Sequence, residues 1–392
     1  MASETDATDV LLIGGGVASV RCARTLRREG FDGRIVLVGD ESLPPYNRPP
    51  LSKELLRDDL PDELVLAEPE RWYDRRNVER LPGRHVTALD AVGRTAVLDD
   101  GRVIVFDRCL LATGAEPRRL PVPGGEHAML LRTLPDARRL RRVAVAAGPA
   151  ARPIVIGGGF IGVEVASSLA ARGLRPLLVE LADALWAGTL GLELSAWAAE
   201  RLAGSGVEVI VGAGVTGVED GAAWIDDERV EGAFVLAGIG VRPRDELARR
   251  AGIACDDGIL TDASHATTAP GVWAAGDVAR VDGLRVEHWH AAREGGERAA
   301  LAMLGKPLPP PRAPWVFSEV AGHILDVVGL AAHGDAASLL GEPDRDRFAV
   351  AWARDGRLTQ VATVGGIVGA DAARAMVERG ASVQELGAAI DL

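Results

Sequence analysis

Two segments of this sequence place three glycines between a short apolar run and a stretch with helical spacing. The first, VLLIGGGVASVRCARTLRREG, spans residues 10–30, and the second, IVIGGGFIGVEVASSLAARG, spans residues 154–173. Such a turn joins a buried strand to a helix whose first backbone N–H groups are free to bind a pyrophosphate. A chain of 392 residues is long enough for two or three domains. We therefore expect two dinucleotide-binding units, each with a parallel sheet.

The glycine spacing and the acidic residues that follow support this prediction. The glycines of the Gly-x-Gly-x-x-Gly pattern are Gly14 and Gly16 in the first unit, with Ser19 at the third position, and Gly157, Gly159 and Gly162 in the second. In each unit a second apolar run ends in acidic residues, which are Asp40 and Glu41 in the first unit and Glu180 in the second. A carboxylate at this place binds the hydroxyl groups of an adenosine ribose.

The acidic residues of the second unit also predict which nicotinamide nucleotide is used. The segment VELADALW contains Glu180 and Asp183 but no arginine that would pair with a 2′-phosphate. Repulsion between these carboxylates and the phosphate favours NADH over NADPH. If Asp183 is only a solvated residue at a helix start, the prediction rests on Glu180 alone.

Charge and cysteine content exclude several classes of function. A net charge of −12 argues against nucleic acid or an anionic membrane as the main partner. No apolar segment is long enough to span a bilayer, and the polar start MASETDATD lacks the features of a secretion signal, so we expect a cytoplasmic protein. Cys22, Cys109 and Cys255 lie far apart, which excludes a CxxC redox pair and a cysteine-based metal site, and we expect no metal. Cys22 and Cys109 lie in apolar stretches and should be buried.

The remaining sequence predicts a mixed α/β fold. Residues 34–38 are predicted as a second strand of the first unit, and the turn at residues 99–101 as the turn of a hairpin. A further hairpin is predicted within residues 347–364, followed by a helical tail. The proline-rich segment 305–314 is the most linker-like part of the chain.

Several motifs occur in an order that is typical of one enzyme family. They are the first glycine turn, YNRPPLSK at 46–53, LLATGAEPR at 110–118, GGGFIGVE at 157–164, GIGVRPR at 238–244, AAGDVA at 274–279 and EHWHAA at 287–292. Together they resemble the FAD-dependent NADH:ferredoxin reductases that serve haem-thiolate monooxygenases and Rieske-type dioxygenases, within the pyridine nucleotide-disulphide oxidoreductase superfamily. The resemblance covers nearly the whole chain and is most specific in residues 10–300.

The resemblance implies two doubly wound, Rossmann-like α/β domains followed by a C-terminal α+β domain. A discontinuous domain, residues 1–115 and 243–313, would bind FAD tightly but non-covalently. Residues 116–242 would bind NADH, and residues 314–392 would cover the flavin and the partner-docking side.

The resemblance also assigns positions to each cofactor. For FAD they are Gly14, Gly16, Val17, Ala18, Asp40, Glu41, Arg48, Lys53, Val86, Ala112, Thr113, Gly114, Arg132, Gly276, Asp277 and Trp289. For NADH they are Gly157, Gly159, Phe160, Ile161, Gly162, Glu164, Glu180, Gly238, Ile239 and Gly240. Three assignments leave an alternative open, because Val86 and Trp289 would also suit a protein core and Arg132 a charged surface.

The catalytic residues that the resemblance implies are Lys53 and Glu164. Lys53 would reach the isoalloxazine near N5, where an ammonium stabilises the negative charge that hydride transfer places on the flavin. A buried lysine without a partner tends to lose its proton, and Glu164 would keep Lys53 charged. Alternatively, Lys53 is a surface lysine at a helix start and Glu164 a helix charge.

These assignments imply a reductase that passes electrons from NADH through FAD to a small acidic [2Fe–2S] ferredoxin, which docks transiently and feeds an oxygenase. Because the chain itself is acidic, docking needs a local basic surface. The candidates are Arg71, Arg75, Arg76 and Arg80, or Arg138, Arg139, Arg141 and Arg142, although such arginines are also commonly just solvated. The alternatives are a flavoprotein with another acceptor, such as rubredoxin, a quinone or oxygen, and a redox sensor like apoptosis-inducing factor.

The sequence departs from the family pattern at three places. PWVFSEV at residues 314–320 stands where the family has PWFWSDQ, and this difference bears on the choice of partner. His290 replaces a common asparagine and either tunes the flavin or packs. Arg244 also replaces an asparagine, and the sequence offers no reason for the change.

Overall fold

The computed structural model describes residues 5–57, 61 and 64–390. The chain divides into two compact units by its internal contacts. The first unit comprises Met1–Asn47, Pro61–Glu116 and Arg242–Pro311, and the second comprises Arg48–Leu60, Pro117–Val241 and Arg312–Leu392. Residues 312–392 thus group with residues 117–241, whereas the three boundaries expected from the sequence stay a prediction.

The helices and strands follow one another along both units. The helices are α1 (Val17–Arg28), α2 (Glu54–Arg57), α3 (Glu70–Arg75), α4 (Leu134–Ala147), α5 (Phe160–Ala171), α6 (Gly191–Gly204), α7 (Glu246–Arg250), α8 (Trp289–Met303), α9 (Ala370–Glu378) and α10 (Val383–Ala389). The strands up to residue 243 are β1 (Thr5–Ile13), β2 (Ile35–Gly39), β3 (Val78–Pro82), β4 (Val86–Asp90), β5 (Thr95–Leu98), β6 (Val103–Leu111), β7 (Ala115–Pro117), β8 (Ile154–Ile156), β9 (Leu177–Glu180), β10 (Glu208–Val211), β11 (Val215–Glu219), β12 (Ala222–Ile225), β13 (Glu228–Glu231), β14 (Val235–Ala237) and β15 (Val241–Pro243). The later strands are β16 (Ile259–Thr261), β17 (Val272–Ala274), β18 (Ala279–Val281), β19 (Leu284–Arg285), β20 (Trp315–Val320), β21 (His323–Gly329), β22 (Ala336–Glu342), β23 (Arg347–Arg354) and β24 (Arg357–Val364).

The first unit is built on a sheet with the strand order β3-β2-β1-β6-β5-β4, and β17 also pairs with β6. Strands β1, β2, β3, β6 and β17 pair in parallel, whereas β4 and β5 form the antiparallel edge. Alternate residues of β1 enter two different cores, because successive side chains of a strand point to opposite faces. Both faces of this sheet are therefore covered, as in a doubly wound fold.

Helix α1 packs closely on α8 because glycine lets the two backbones approach. A Cβ atom at Gly296 would collide with the carbonyl oxygen of Ala18. Strand β17 ends before Gly276 and Asp277, and the chain resumes as the short strand β18. The end of β17 therefore brings Gly276 to within contact of Ala18 at the start of α1, where a Cβ atom on the glycine would lie 3.4 Å from the Ala18 Cβ atom.

The second unit contains a parallel sheet with the order β10-β9-β8-β14 and a five-stranded antiparallel sheet with the order β20-β21-β24-β23-β22. The predicted hairpin is formed by β23 and β24, and its turn uses Asp355 and Gly356 with φ values of 49° and 75°. Both values fit the left-handed turn that joins twisted strands. Helices α9 and α10 pack on this antiparallel sheet. The predicted fold class, Rossmann-like sheets plus an α+β segment, is confirmed.

The cysteines lie as expected from their surroundings. Cys22 and Cys109 are fully buried and Cys255 is half-buried, and all three are free thiols. Burial raises the pKa of each thiol, that of Cys255 to about 11. Among the residues described, no helix is both long enough and apolar enough to cross a membrane.

Candidate functional site

The first glycine turn has the geometry that a pyrophosphate requires. Gly14 follows β1 with a φ of 119°, and a Cβ atom there would collide with the carbonyl oxygen of Ala112. Gly16 is the N-cap of α1, makes no side-chain cap, and has open space where its Cβ atom would be. The first turn of α1 contains no acidic residue. The N–H groups at this helix start are therefore left for a ligand anion, which fits the phosphates of FAD.

The second glycine turn repeats this construction in the second unit. Gly157 has a φ of 106°, and Gly159 caps α5 without a side-chain bond and beside open space. A Cβ atom at Gly162 would collide with the carbonyl oxygen of Gly157, so α5 approaches β8 only because this residue is glycine. The residues present here also fit a dinucleotide pyrophosphate.

The acidic position beyond the second strand differs between the two units. The Gly14 amide donates to the carbonyl oxygen of Val38, and the Gly157 amide donates to that of Val179, each at 2.8 Å. Gly39 follows Val38 and Glu180 follows Val179, so Gly39 and Glu180 occupy corresponding positions. The Glu180 carboxylate accepts hydrogen bonds from the amide of Gly158 and, at 2.8 Å, from that of Ala182. This places Glu180 directly against the glycine turn, where an adenosine ribose binds.

In the first unit Asp40 and Glu41 lie one and two residues beyond that position. Glu41 accepts a hydrogen bond from the Tyr46 hydroxyl at 2.6 Å, and both residues line a small pocket beside Gly15 and Gly39. This pocket lies next to the glycine turn and beside Gly39, which has no side chain. The adenosine end of FAD would enter there. Of the two acids, Glu41 lines this pocket.

Asp40 is bound instead by Arg244, whose role the sequence did not reveal. The Arg244 guanidinium lies 2.7 Å from the Asp40 carboxylate. Burial raises the pKa of Asp40, but the hydrogen bond and charge of Arg244 outweigh burial, and the net effect lowers the pKa. The Arg244 backbone also accepts from the Thr113 hydroxyl at 2.6 Å and donates to Gly114 O at 2.9 Å. Arg244 thus joins three of the positions assigned to FAD.

Lys53 and Glu164 form a buried ion pair in the second unit. The Lys53 ammonium lies 2.7 Å from the Glu164 carboxylate, and the two residues are only 6% and 4% exposed. Glu164 also accepts hydrogen bonds from the hydroxyl groups of Ser52 and Ser318. The Phe317 ring lies 5.6 Å from the Lys53 nitrogen. Lys53 is therefore not a surface lysine, and the part of the pair in flavin chemistry stays a prediction.

The positions assigned to the two cofactors divide between the two units. The first unit holds Gly14, Gly16, Val17, Ala18, Asp40, Glu41, Val86, Ala112, Thr113, Gly114, Gly276, Asp277 and Trp289. The second unit holds Arg48, Lys53, Arg132 and every position assigned to NADH, namely Gly157, Gly159, Phe160, Ile161, Gly162, Glu164, Glu180, Gly238, Ile239 and Gly240.

The three positions for which an alternative was left open differ in their surroundings. Val86 is buried in the core of the first unit, as the alternative expects, and its contact with adenine stays a prediction. Trp289 is half-buried, and its indole donates to the Asn47 side chain at 2.9 Å. Arg132 is half-buried rather than a surface charge, and its carbonyl oxygen accepts a hydrogen bond from Arg48.

Trp186 is a further residue near the second glycine turn that the sequence did not single out. Its φ of 52° is unusual for a bulky side chain, and such strain concentrates at functional sites. The Trp186 amide donates to Gly158 O at 3.0 Å, and its buried ring lies 5.8 Å from that of Phe160. Nothing in the pattern of residues 181–190 predicts this placement, because it depends on the folded path of the loop.

The two arginine clusters considered for docking are partly solvated. Arg71, Arg75 and Arg76 are exposed, and Arg80 lies over the Tyr73 ring at 4.8 Å. In α4, Arg139 and Arg142 are exposed, whereas Arg138 and Arg141 are half-buried. Within residues 5–57, 61 and 64–390, no group of three or more His, Cys, Asp or Glu side chains is arranged to hold a metal ion.

Comparison with known proteins places this geometry in a family. The model of the pyridine nucleotide-disulphide oxidoreductases matches residues 8–296, and that of the reductase C-terminal domain matches residues 315–391. The ferredoxin reductase component of the chlorobenzene dioxygenase of Cupriavidus sp. is 39% identical over 381 residues, which cover 91% of this chain and 89% of the relative. The ferredoxin–NAD(+) reductase component of the biphenyl dioxygenase system of Paraburkholderia xenovorans is 38% identical over 353 residues, 85% of each chain.

A solved structure extends the similarity to the whole fold. The reductase in the covalent putidaredoxin reductase–putidaredoxin complex matches this chain with a TM-score of 0.93 at 31% identity, and the match covers 97% of this chain and 95% of that one. The two glycine turns, Glu180 and the buried lysine–glutamate pair lie within the matched region. The chain belongs to the pyridine nucleotide-disulphide oxidoreductase family and is an FAD-dependent oxidoreductase that uses NADH.

Proposed function

We propose that this protein reduces a small [2Fe–2S] ferredoxin with electrons from NADH, and that the ferredoxin feeds a Rieske-type oxygenase or a haem-thiolate monooxygenase. The observation that carries the proposal is the buried Lys53–Glu164 ion pair, in a chain that also has two glycine turns suited to dinucleotides. Relatives named as ferredoxin reductase components of dioxygenase systems support the choice of acceptor.

The residues of the chain have separate tasks in this reaction. The free N–H groups at the starts of α1 and α5 hold the two pyrophosphates, and Glu180 binds the ribose of NADH. FAD, when bound, accepts two electrons as a hydride and releases them one at a time, as an iron–sulfur acceptor requires. The Lys53 ammonium supplies positive charge where negative charge develops, and Glu164 holds that ammonium in place.

The cysteines favour an acceptor outside the chain. Enzymes of this superfamily that reduce disulphides or peroxide need a reactive thiolate near the flavin, and a reactive thiolate has a lowered pKa. Cys22 and Cys109 are fully buried, and burial raises the pKa of all three thiols. The electrons therefore leave for an external partner. Reduced thiols and a supply of NADH both belong to the cytoplasm, where we place the reaction.

An anaerobic mixing experiment tests the proposal. The FAD-loaded chain is mixed with NADH or, in parallel, with NADPH, and oxidised [2Fe–2S] ferredoxin is then added while both chromophores are followed. We expect rapid bleaching of the flavin by NADH, slow bleaching by NADPH, and reoxidation of the flavin as the ferredoxin is reduced. Bleaching that persists after ferredoxin addition would overturn the choice of acceptor and favour another acceptor or a redox sensor.

Charge reversal tests where the ferredoxin docks. One variant reverses the exposed Arg71 and Arg75, and a second reverses the exposed Arg139 and Arg142. Reversing the charges of the cluster that docks an acidic ferredoxin should raise the Michaelis constant for ferredoxin. This increase should be smaller at high salt. An unchanged constant in both variants would rule out both surfaces.

A further inference from the structure

Three consecutive residues of β20 contact the Lys53–Glu164 pair or the segment that carries Lys53. The Phe317 ring lies 5.6 Å from the Lys53 nitrogen, the Ser318 hydroxyl donates to Glu164, and Glu319 forms an ion pair with Arg57 in α2. All of these residues belong to the second unit. The first strand of the C-terminal sheet therefore contacts both members of the buried ion pair.

Each oxygen of the Glu164 carboxylate has its own donors. Oε2 accepts from the Lys53 ammonium at 2.7 Å and from the Ser52 hydroxyl at 2.5 Å. Oε1 accepts from the Ser318 hydroxyl at 2.8 Å. A carboxylate that is bonded through both oxygens has a fixed plane, and the position of the ammonium bonded to it is fixed as well. Ser318 thus holds one oxygen of the carboxylate while Lys53 is bonded to the other.

The Ser318 hydroxyl bonds to a helix rather than within its own sheet. Ser318 is 1% exposed, and in the register of β20 and β21 it pairs with Leu325. A buried strand position is more simply filled by an apolar side chain, because a buried hydroxyl without a partner costs stability. The hydroxyl is satisfied by Glu164, a contact between residues 154 positions apart.

We propose that Ser318 is a positioning residue for hydride transfer. Its hydroxyl fixes Oε1 of Glu164, so that Oε2 remains on Lys53 and the ammonium stays where negative charge develops. Without Ser318 the carboxylate can rotate about its last bond and exchange its oxygens, which loosens Lys53. This inference rests on the proposed use of Lys53 and Glu164 in NADH-dependent reduction of the flavin.

The test compares Ser318→Ala and Ser318→Thr with a matched control, Ser167→Ala. Ser167 lies on α5, is 5% exposed, and accepts a hydrogen bond from the amide of Ala321 at 2.7 Å. It therefore joins the same helix to the same end of β20 through the backbone of Ala321 rather than through the Glu164 carboxylate. The readouts are the rate constant of anaerobic flavin reduction as a function of NADH concentration and the midpoint potential of the bound flavin.

We expect Ser318→Ala to lower the limiting rate constant about tenfold, the loss typical of one hydrogen bond to a charged group. The NADH concentration at half-maximal rate should stay within twofold, and the midpoint potential should become more negative because the charge near the flavin is less fixed. Ser318→Thr keeps the hydroxyl and should restore both quantities, and Ser167→Ala should leave both unchanged.

Two results would overturn the inference while leaving the proposed function intact. One is a Ser318→Ala variant whose rate constant and potential equal those of the unmodified chain. The other is an equal loss in Ser167→Ala, which would mean that packing between α5 and β20 is what matters. Failure of NADH to reduce the flavin of the unmodified chain would instead refute the proposed function itself.

Discussion

Removing either charge of the Lys53–Glu164 pair should destabilise the protein, and by unequal amounts. Glu164→Gln leaves a buried ammonium without its counter-charge, beside the Phe317 ring. Lys53→Met leaves a buried carboxylate that still accepts hydrogen bonds from the Ser52 and Ser318 hydroxyl groups. The asymmetry follows from the different number of partners that each charge keeps.

The magnitudes follow from the same contacts. Breaking a buried ion pair by removing one partner costs about 3–5 kcal/mol, so we expect a loss of about 4 kcal/mol for Glu164→Gln. We expect about 2 kcal/mol for Lys53→Met, because two hydroxyl bonds, each worth about 1.5 kcal/mol, still stabilise the charged carboxylate. The double variant carries no buried charge at this place and should lose about 2 kcal/mol less than the sum of the single variants.

The assay is urea unfolding of the FAD-saturated chain at pH 7. Fluorescence and circular dichroism must report the same transition before midpoints are converted into free energies. Equal losses of unfolding free energy in the two single variants would refute the unequal support of the two charges. A double variant whose loss equals the sum of the single losses would refute the coupling between them.

Three further predictions concern other parts of the structure. Glu180→Gln removes the charge that repels a 2′-phosphate, so the ratio of kcat/KM for NADH over NADPH should fall about tenfold in steady-state assays; an unchanged ratio would move the discrimination elsewhere. Gly162→Ala forces a Cβ atom against the Gly157 carbonyl oxygen, so the NADH concentration at half-maximal flavin reduction should rise at least about tenfold while FAD content stays the same; loss of FAD would contradict this. His265 is buried with Nδ1 2.9 Å from Ala274 O, and burial lowers its pKa to about 4 against about 6.5 when unfolded. The unfolded chain therefore binds the proton first as pH falls from 6.5 to 4, and this residue should cost about 2 kcal/mol of stability at pH 5; His265→Gln should remove that share of the pH dependence in urea titrations.

Local pattern was sufficient to predict the elements that form the glycine turns. The apolar runs, the glycine spacing and the helical periodicity of residues 10–30 and 154–173 all act within one strand–turn–helix unit. The hairpin at residues 347–364 was likewise predictable, because its Asp–Gly turn is set by neighbouring residues. The family resemblance added the choice of Lys53 and Glu164, which the structure brings within 2.7 Å of each other.

The contacts that sequence reasoning missed join residues far apart in the chain. Arg244 bonds to Asp40 across 204 positions, and Ser318 bonds to Glu164 across 154. Arg244 lies beside a turn and Ser318 in a strand, and neither position has a periodicity that marks a partner. Such contacts are decided by how strands and helices pack, and only the folded chain shows them.

The three contacts of β20 also bear on how this protein can be recombined with its relatives. A C-terminal segment taken from another reductase would have to present an aromatic ring, a hydroxyl and a carboxylate at the positions of Phe317, Ser318 and Glu319. A graft that fails at one of them would fold as a sheet and yet leave the lysine–glutamate pair incomplete. Swapping whole C-terminal segments between reductases is therefore constrained by the buried ion pair, and a graft that begins after residue 320 avoids the constraint.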